Sequence, residues 1–354
     1  MRLLIASSES KFVYMKELAD AVSRQDVKCK LVKEVEYSTG FPSKKISEWF
    51  SNKKFEKLIS EFKPDAVVID RQLHFGANTI KAKIPLFVYV RGHYWLEQYW
   101  AKKTIYKNKP IMKIVMWLRN RISEKCFKEC TTILPITKYL EKVVKEHHPN
   151  KPTEILAEGI DSSIWYPQKG MKLKHPCVGL LQNSQWWGKT KEMMILPKIL
   201  EALPNVTFYW AGGGGQYQEK ILSLLEKYDN FKFLGMLQYP KEVRQYLTEI
   251  DIYALITGLD TLGVTILEAS LMKKPVIATN VAAIPEVIKN GITGFTVKEG
   301  DARDLIEKIT ILLEDKQISN KMGLEGYEFV KNNYSWDKMA IELLRIIKKH
   351  LNHA

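Results

Sequence analysis

The sequence predicts an α/β protein made of two doubly wound parallel sheets, and three observations carry that prediction. The chain has 354 residues, more than one hydrophobic core usually organises, so two domains are expected. Short continuous apolar runs such as "DAVVID", "PLFVYV" and "CVGLLQ" mark strands covered on both faces. Segments of helical period separate these runs, and such alternation builds parallel sheets.

The elements follow in order. "RLLIAS" is a buried-strand run, and "SKFVYMKELADAV" is helical, with Val13, Leu18 and Val22 among its apolar positions. "VKCKLV" alternates as a strand; "DAVVID", "PLFVYV" and "CTTILPIT" follow, the last leading into a helical "KYLEKVVKEH". The stretch Trp165 to Pro176, "WYPQKGMKLKHP", breaks the pattern with Pro, Gly and Lys. The expected domains are therefore 1–168, 169–334 and a last helix, 335–354. The second alternation runs through the strands "CVGLLQ", "VTFYWAG", "FKFLG", "IYALIT" and "KPVIAT". Its helices are "KEMMILPKILEAL", "QEKILSLLEKY", "EVRQYLTEI" and "DARDLIEKITILLED", the last with an acidic first turn. "SWDKMAIELLRIIKKHL" is a final amphipathic helix with Ser335 as its expected N-cap.

Composition narrows the class. Hydrophobic content of 45% and charged content of 27% are those of a soluble globular protein. The four cysteines, Cys29, Cys126, Cys130 and Cys177, are too scattered for a disulfide framework and suit a reducing cytoplasm. Cys126 and Cys130 have no second pair to close a zinc site and read as buried structural residues. "MRLLIASSES" turns polar too early for a secretory signal. The net charge of +14 is uneven: residues 1–170 hold 31 Lys/Arg against 19 Asp/Glu, and the remainder 23 against 21. A polyanionic partner of the first half is expected: a membrane surface, an anionic substrate or nucleic acid.

In open parallel sheets ligands bind outside the carboxyl ends of the strands. In the second half these ends are "WAGGGG" with Gly213 and Gly214, "ITGLDTLG", and "ATNVAAIPE". "GLDTLG" opens the helix "VTILEASLM". The amides of Leu262, Gly263 and Val264 are then expected at a helix N-terminus, where they suit a phosphate, and Gly263 lets the backbone come close. Glu268 stands one turn inside. It is either a solvent-facing residue or a buried carboxylate that needs partners such as sugar hydroxyls.

At these residues the sequence resembles glycosyltransferase family 4, the retaining GT-B enzymes within the glycosyl transferases group 1. The resemblance rests on Asp260 and Glu268 with seven residues between, then "EAS", "KPVIAT", "IPEVI" and "NGITGF". "EGIDSSIWYP" and "NNYSWDKMA" are similar to the family's linker and its C-terminal crossover. The resemblance is strong over the second half and weak over the first. It implies the GT-B fold: two Rossmann-like domains facing across a cleft, an acceptor-side one and a nucleotide-sugar-binding one, with the last helix packing back on the first. It implies that Glu268 holds the donor ribose and that Asp260, usually Glu, touches the transferred sugar. Thr261, Leu262, Gly263 and Val264 would cradle the diphosphate. Lys189 and its neighbour Lys191 would neutralise the leaving group. The family's Arg position reads as Gln182 or Asn183. Arg91 aligns with the end of a first-domain strand that faces the sugar, with His93 two residues on; Ser8, Ser10 and Lys11 are weaker candidates for acceptor contact.

No Asp-x-Asp occurs, so lysine and helix amides rather than a divalent metal are expected to meet the leaving-group charge, with no cofactor beyond the UDP- or GDP-sugar donor. The implied reaction is sugar transfer with retention to a glycan or lipid-linked acceptor. The alternatives are a non-catalytic nucleotide-sugar or carbohydrate-binding relative and a nucleotide-sugar epimerase. Residues 101–130 hold 9 Lys/Arg and 2 Glu. Positions 111, 114, 115, 118 and 122 form a helical apolar stripe beside Met112, Met116 and Trp117. That stripe reads either as a core-packed helix with a solvated basic side or as an interfacial helix on an anionic membrane. "SEWFSNKKFEKL" adds Trp49 and Phe50 beside lysines. Nucleic acid is not expected, because no binding motif is present. The expected location is the cytoplasm or the cytoplasmic face of a membrane.

Overall fold

The computed structural model describes residues 1–42, 49 and 51–352. Ser47, Glu48 and Phe50 of the lysine-flanked aromatic stretch lie outside them. The chain divides into two units. One is Met1–Gly159 with Trp336–Ala354, and the other is Ile160–Ser335. The division at Gly159 falls earlier than the expected 168/169 boundary, so the Pro/Gly/Lys stretch belongs wholly to the second unit.

The first unit carries β1 (Arg2–Ser7), β2 (Lys28–Lys33), β3 (Ala66–Ile69), β4 (Leu86–Val90) and β5 (Thr132–Pro135). They form one parallel sheet in the order β2-β1-β3-β4-β5. Every residue of β3, β4 and β5 is buried, as their unbroken apolar runs require. The order reverses at β1, so the crevice of this sheet lies at the carboxyl ends of β1 and β3. The helix Phe12–Ser23 buries Met15, Leu18, Ala19 and Val22. Val13, expected on that face, is 67% exposed. The last helix, Trp336–Leu351, follows Ser335 directly and packs on Phe12–Ser23, with the Arg24 guanidinium 2.7 Å from Asp337 Oδ1.

The second unit carries β6 (Cys177–Asn183), β7 (Thr207–Gly213), β8 (Phe231–Gly235), β9 (Ile252–Leu255), β10 (Val276–Thr279) and β11 (Phe295–Val297). Their order, β11-β10-β9-β6-β7-β8, is again parallel. Here the reversal falls between β6 and β9, so the loops that leave these two strands flank the crevice. Val178, Leu180, Phe208, Trp210, Ile252 and Ala254 build its core. The expected helix "KEMMILPKILEAL" is split: a 3₁₀ turn spans Lys191–Ile195 and an α-helix Leu196–Ala202, with Pro197 in its first turn, where a missing amide costs nothing.

Several helices went unread in the sequence, among them Lys53–Phe62, His74–Lys81, Tyr94–Lys103 and Lys316–Asn333. Tyr94–Lys103 is short and weakly patterned. Lys316–Asn333 is longer and contains Gly323 and Gly326, which argue against a helix interior. Both glycines serve close packing: a Cβ on Gly323 would lie 2.2 Å from the Lys273 carbonyl oxygen. Asp315 caps that helix by accepting from the amides of Gln317 and Ile318, each at 2.9 Å. Cys126, Cys130 and Cys177 are buried and Cys29 half-buried; all four are free thiols.

Candidate functional site

The crevice of the second unit is built from the backbone outward. β9 ends at Leu255 and runs into Ile256–Gly263, from which the helix Val264–Leu271 starts. Gly263 adopts φ +72°, and a Cβ there would stand 2.8 Å from Ile266 Cδ1, so position and packing both require glycine. Gly258 donates its amide to the Lys189 carbonyl at 3.0 Å. A Cβ on Gly258 would lie 2.3 Å from the Gly188 carbonyl oxygen and 2.6 Å from Lys191 Cε. The loop after β6 and the loop after β9 therefore lie in contact, and Lys189 is brought beside the Asp260 turn.

Glu268 is 3% exposed on the inner face of its helix, which decides between the two readings of this residue. Burial pushes its carboxyl up to about 8, opposed by a hydrogen bond from the Tyr239 hydroxyl. Among the described residues no lysine, arginine or histidine is ion-paired with it. A carboxyl buried without a counter-ion is a functional-site signature, because folding alone gains nothing from it.

Asp260 is half-buried and turns back on its own loop. Its Oδ1 accepts from the amides of Leu262 at 3.1 Å and Gly263 at 2.7 Å. This corrects the expectation of open amides at this helix start: two of the three are held by the side chain that was to reach the sugar. A short arm that caps a turn is ordinary chemistry for Asp. Thr261 and Leu262 are buried and Val264 is half-buried.

The other expected phosphate contacts separate. Lys189 is half-buried in the four-residue turn Trp187–Thr190. Lys191 is ion-paired with Glu299, beyond β11, which holds its pKa above the ordinary value. The adjacent Glu192 accepts from the Gly300 amide at 2.7 Å, so this part of the loop is pinned to the turn after β11. Gln182, at the expected Arg position, spans the β6–β9 gap: its Nε2 donates to the Ile256 carbonyl at 2.9 Å and its Oε1 accepts from the Ile256 amide at 3.2 Å. Gly213 and Gly214 have φ of +80° and +69°, and the Gly214 amide donates to Gln218 Oε1 at 2.5 Å. Trp187, unread in the sequence, stands at the same edge, with Tyr217 at 5.3 Å between ring centroids and Lys220 Nζ 3.7 Å from its ring.

In the first unit Arg91 is 11% exposed and bound through two nitrogens to Glu158, itself 4% exposed, with Nε at 3.0 Å from Oε2. Its guanidinium lies 4.9 Å from the Tyr14 ring centroid. Glu158 belongs to "EGID", so the linker segment supplies the partner of Arg91. His93 caps the helix Tyr94–Lys103: its Nδ1 accepts from the Leu96 amide at 3.3 Å, and burial lowers its pKa. At the sheet crevice Asp70 bridges the strand ends, accepting from Ser7 Oγ at 3.0 Å, Ser8 Oγ at 3.1 Å and the Ser8 amide at 2.9 Å. Lys11 beside it has a pKa lowered by burial and by Arg91.

Residues 180–315 match the family model described as glycosyl transferases group 1. An uncharacterized glycosyltransferase of Methanocaldococcus jannaschii is 23% identical over 240 residues, 66% of this chain and 65% of that protein. A GDP-mannose-dependent monoacylated alpha-(1-6)-phosphatidylinositol monomannoside mannosyltransferase of Corynebacterium glutamicum is 30% identical over 169 residues, 46% of this chain and 44% of that one. The matches thus span less than two thirds of these relatives' lengths. Anabaena HepE, solved in complex with UDP-glucose, superposes with a TM-score of 0.71 at 14% identity, covering 99% of this chain and 100% of that one, a likeness of fold. The two parallel α/β units are those of GT-B glycosyltransferases. The match to the glycosyl transferases group 1 lies within the second unit, Ile160–Ser335.

Proposed function

We propose that this protein is a glycosyltransferase of the group 1 type and moves a sugar from a nucleotide-diphosphate-sugar donor to a hydroxyl of a glycan or lipid-linked acceptor. The observation that carries the reading is Glu268: a buried carboxyl without a counter-ion, on the helix that leaves the crevice of a doubly wound sheet. Paired ribose hydroxyls are the neutral donors such a group suits. The UDP-glucose bound to HepE and the GDP-mannose in the mannosyltransferase's name support donors of this class.

In this reading Glu268 accepts from the ribose. Lys189, on the facing loop, meets charge on the leaving diphosphate, and the amides at 262–264 take its oxygens once Asp260 releases them. Asp260 then turns to the hydroxyls of the transferred sugar, and Arg91 and His93 serve the sugar or the acceptor. Lys191, Gly213 and Gly214 shape the phosphate side of the crevice. The bond from the anomeric carbon to the diphosphate oxygen breaks, and the acceptor oxygen attacks on the same face, so configuration is retained. The acceptor proton passes to the departing phosphate, which removes the need for a separate base. The absence of Asp-x-Asp and the presence of Lys189 favour a reaction without a metal ion. The four free thiols favour the cytoplasm or a membrane's cytoplasmic face.

One observation favours a second reading. With Asp260 folded onto its own turn and Gln182 in place of Arg, the chain would bind nucleotide-sugar without transferring it. A thermal-shift screen of UDP-, GDP- and ADP-sugars, followed by turnover with the stabilising donor, tests both. Stabilisation with release of nucleotide supports transfer. Stabilisation without release under any acceptor extract supports the binder, and no stabilisation by any donor contradicts both.

A further inference from the structure

From Arg91 to Ile122 no residue is buried, although the stretch contains two helices and many large apolar side chains. The helix Pro110–Glu129 has its buried residues, Ser123, Cys126 and Phe127, in its second half, where Ser123 Oγ donates to the Gln72 carbonyl at 2.6 Å. Along the first half the stripe at 111 and 114 does not face the core. Ile111 is 74% exposed, Ile114 59% and Trp117 55%. Steps of three and then four residues keep Ile111, Ile114, Trp117 and Arg121 on one side of the helix. That side is exposed throughout and continues into Lys125 and Lys128. The outward face is thus apolar for two turns and cationic for the next two. Arg121 lies 5.1 Å from the Trp117 ring centroid where the two meet.

The neighbouring turn adds Lys102, Lys103, Lys107 and Lys109, all exposed, and Tyr99 at 56%. A protein that leaves two isoleucines and a tryptophan together in water usually covers them in use. The charge selects the cover. Residues 101–130 hold 9 Lys/Arg and 2 Glu, so a second copy meeting this face symmetrically would oppose like charges.

We propose that the helix Pro110–Glu129 docks the protein on an anionic phospholipid bilayer. Ile111, Ile114 and Trp117 enter the headgroup–acyl boundary, and Lys102, Lys103, Lys107 and Arg121 lie among the lipid phosphates. Docking is reversible and shallow, since no helix among the described residues is long and apolar enough to cross a membrane. The proposal stands on this surface alone and does not depend on the sugar-transfer reading.

The test is flotation of the full chain with phosphatidylcholine vesicles, with and without phosphatidylglycerol, at low and high salt. The chain floats with the anionic vesicles only, high salt releases it, and tryptophan emission shifts to the blue on binding in the wild type but less in Trp117→Phe. Ile111→Ser with Ile114→Ser weakens binding by about tenfold. Each Lys→Gln at 102, 103 and 107 weakens it by about fivefold. Melting temperature and donor-induced stabilisation stay at the wild-type values in these variants, which separates this surface from the donor site. Failure of the wild type to float overturns the proposal, as does equal flotation of wild type and Ile variant. A concentration-dependent dimer in light scattering that the Ile variant abolishes assigns the face to a second copy instead.

Discussion

The two sheets follow one plan, yet their surroundings differ in how much the fold has already fixed. In the second unit the strand-end loops are tied to each other. Gly258 bonds to Lys189, Gln182 spans β6 and β9, Lys191 and Glu192 reach the turn after β11, and Asp260 holds its own helix start. In the first unit the crevice is bridged by Asp70 and the serines, but the helices beyond β4 leave apolar and basic side chains in water. A crevice whose loops are tied to one another around a buried carboxyl suits a small, defined ligand. A face with no buried residue suits a broad, soft partner. Substitutions in the tied crevice should therefore act on donor binding and turnover, and leave the exposed face untouched.

The largest effect is expected at Glu268. Replacement by Ala removes acceptors for two ribose hydroxyls and lowers donor affinity by about 100-fold, measured by calorimetric titration of the stabilising nucleotide-sugar. Next, Lys189→Ala lowers turnover by about 100-fold with a smaller change in KM, because its charge matters most as the diphosphate leaves; steady-state kinetics with the preferred donor check it. Gly258→Ala forces a Cβ to within 2.3 Å of the Gly188 carbonyl. It costs about 1–3 kcal/mol of stability and separates the two loops, so chemical denaturation and donor binding both record it.

The pH dependence of stability is subtler. The Glu268 carboxyl stands at about 8 when folded, above its ordinary value of 4.5. Its contribution is therefore fully present below the ordinary carboxylate range and lost as pH rises through about 8. Melting temperature of the ligand-free protein should fall across that window, and Glu268→Gln should flatten the fall. The smallest effect lies at the far end of the sheet. His175 is bonded to Asp251 at 2.8 Å and Glu249 at 3.0 Å, and these partners, Asp251 first, raise its pKa. Its contribution is present below the ordinary histidine value and lost as pH rises through the raised one. His175→Gln should remove a small slope in the melting temperature near neutral pH while leaving donor binding unchanged.

Much of the fold was readable because buried parallel strands announce themselves. "DAVVID" and "PLFVYV" have no polar alternation, and β3 and β4 lie within them. The helix Lys316–Asn333 was not readable, since Gly323 and Gly326 look like breakers until the Lys273 carbonyl is seen against one of them. Around the crevice, spacing placed Asp260, Gly263 and Glu268 at one strand end. It could not say that Asp260 turns back to the amides of Leu262 and Gly263, because spacing carries no side-chain direction. Nor could it find the partner of Lys191, which comes from Glu299, 108 positions along the chain. The stripe at 111 and 114 shows the same limit: periodicity defines a face but not what the face meets.

Sugar transfer as proposed requires Glu268 to hold the donor. The most direct measurement is the affinity of the stabilising nucleotide-sugar for wild type and for Glu268→Gln, a variant that keeps the shape of the buried side chain. The expected variant is folded, with near wild-type circular dichroism, and binds the donor at least about tenfold more weakly. A folded variant that binds the donor as tightly as the wild type would contradict that role.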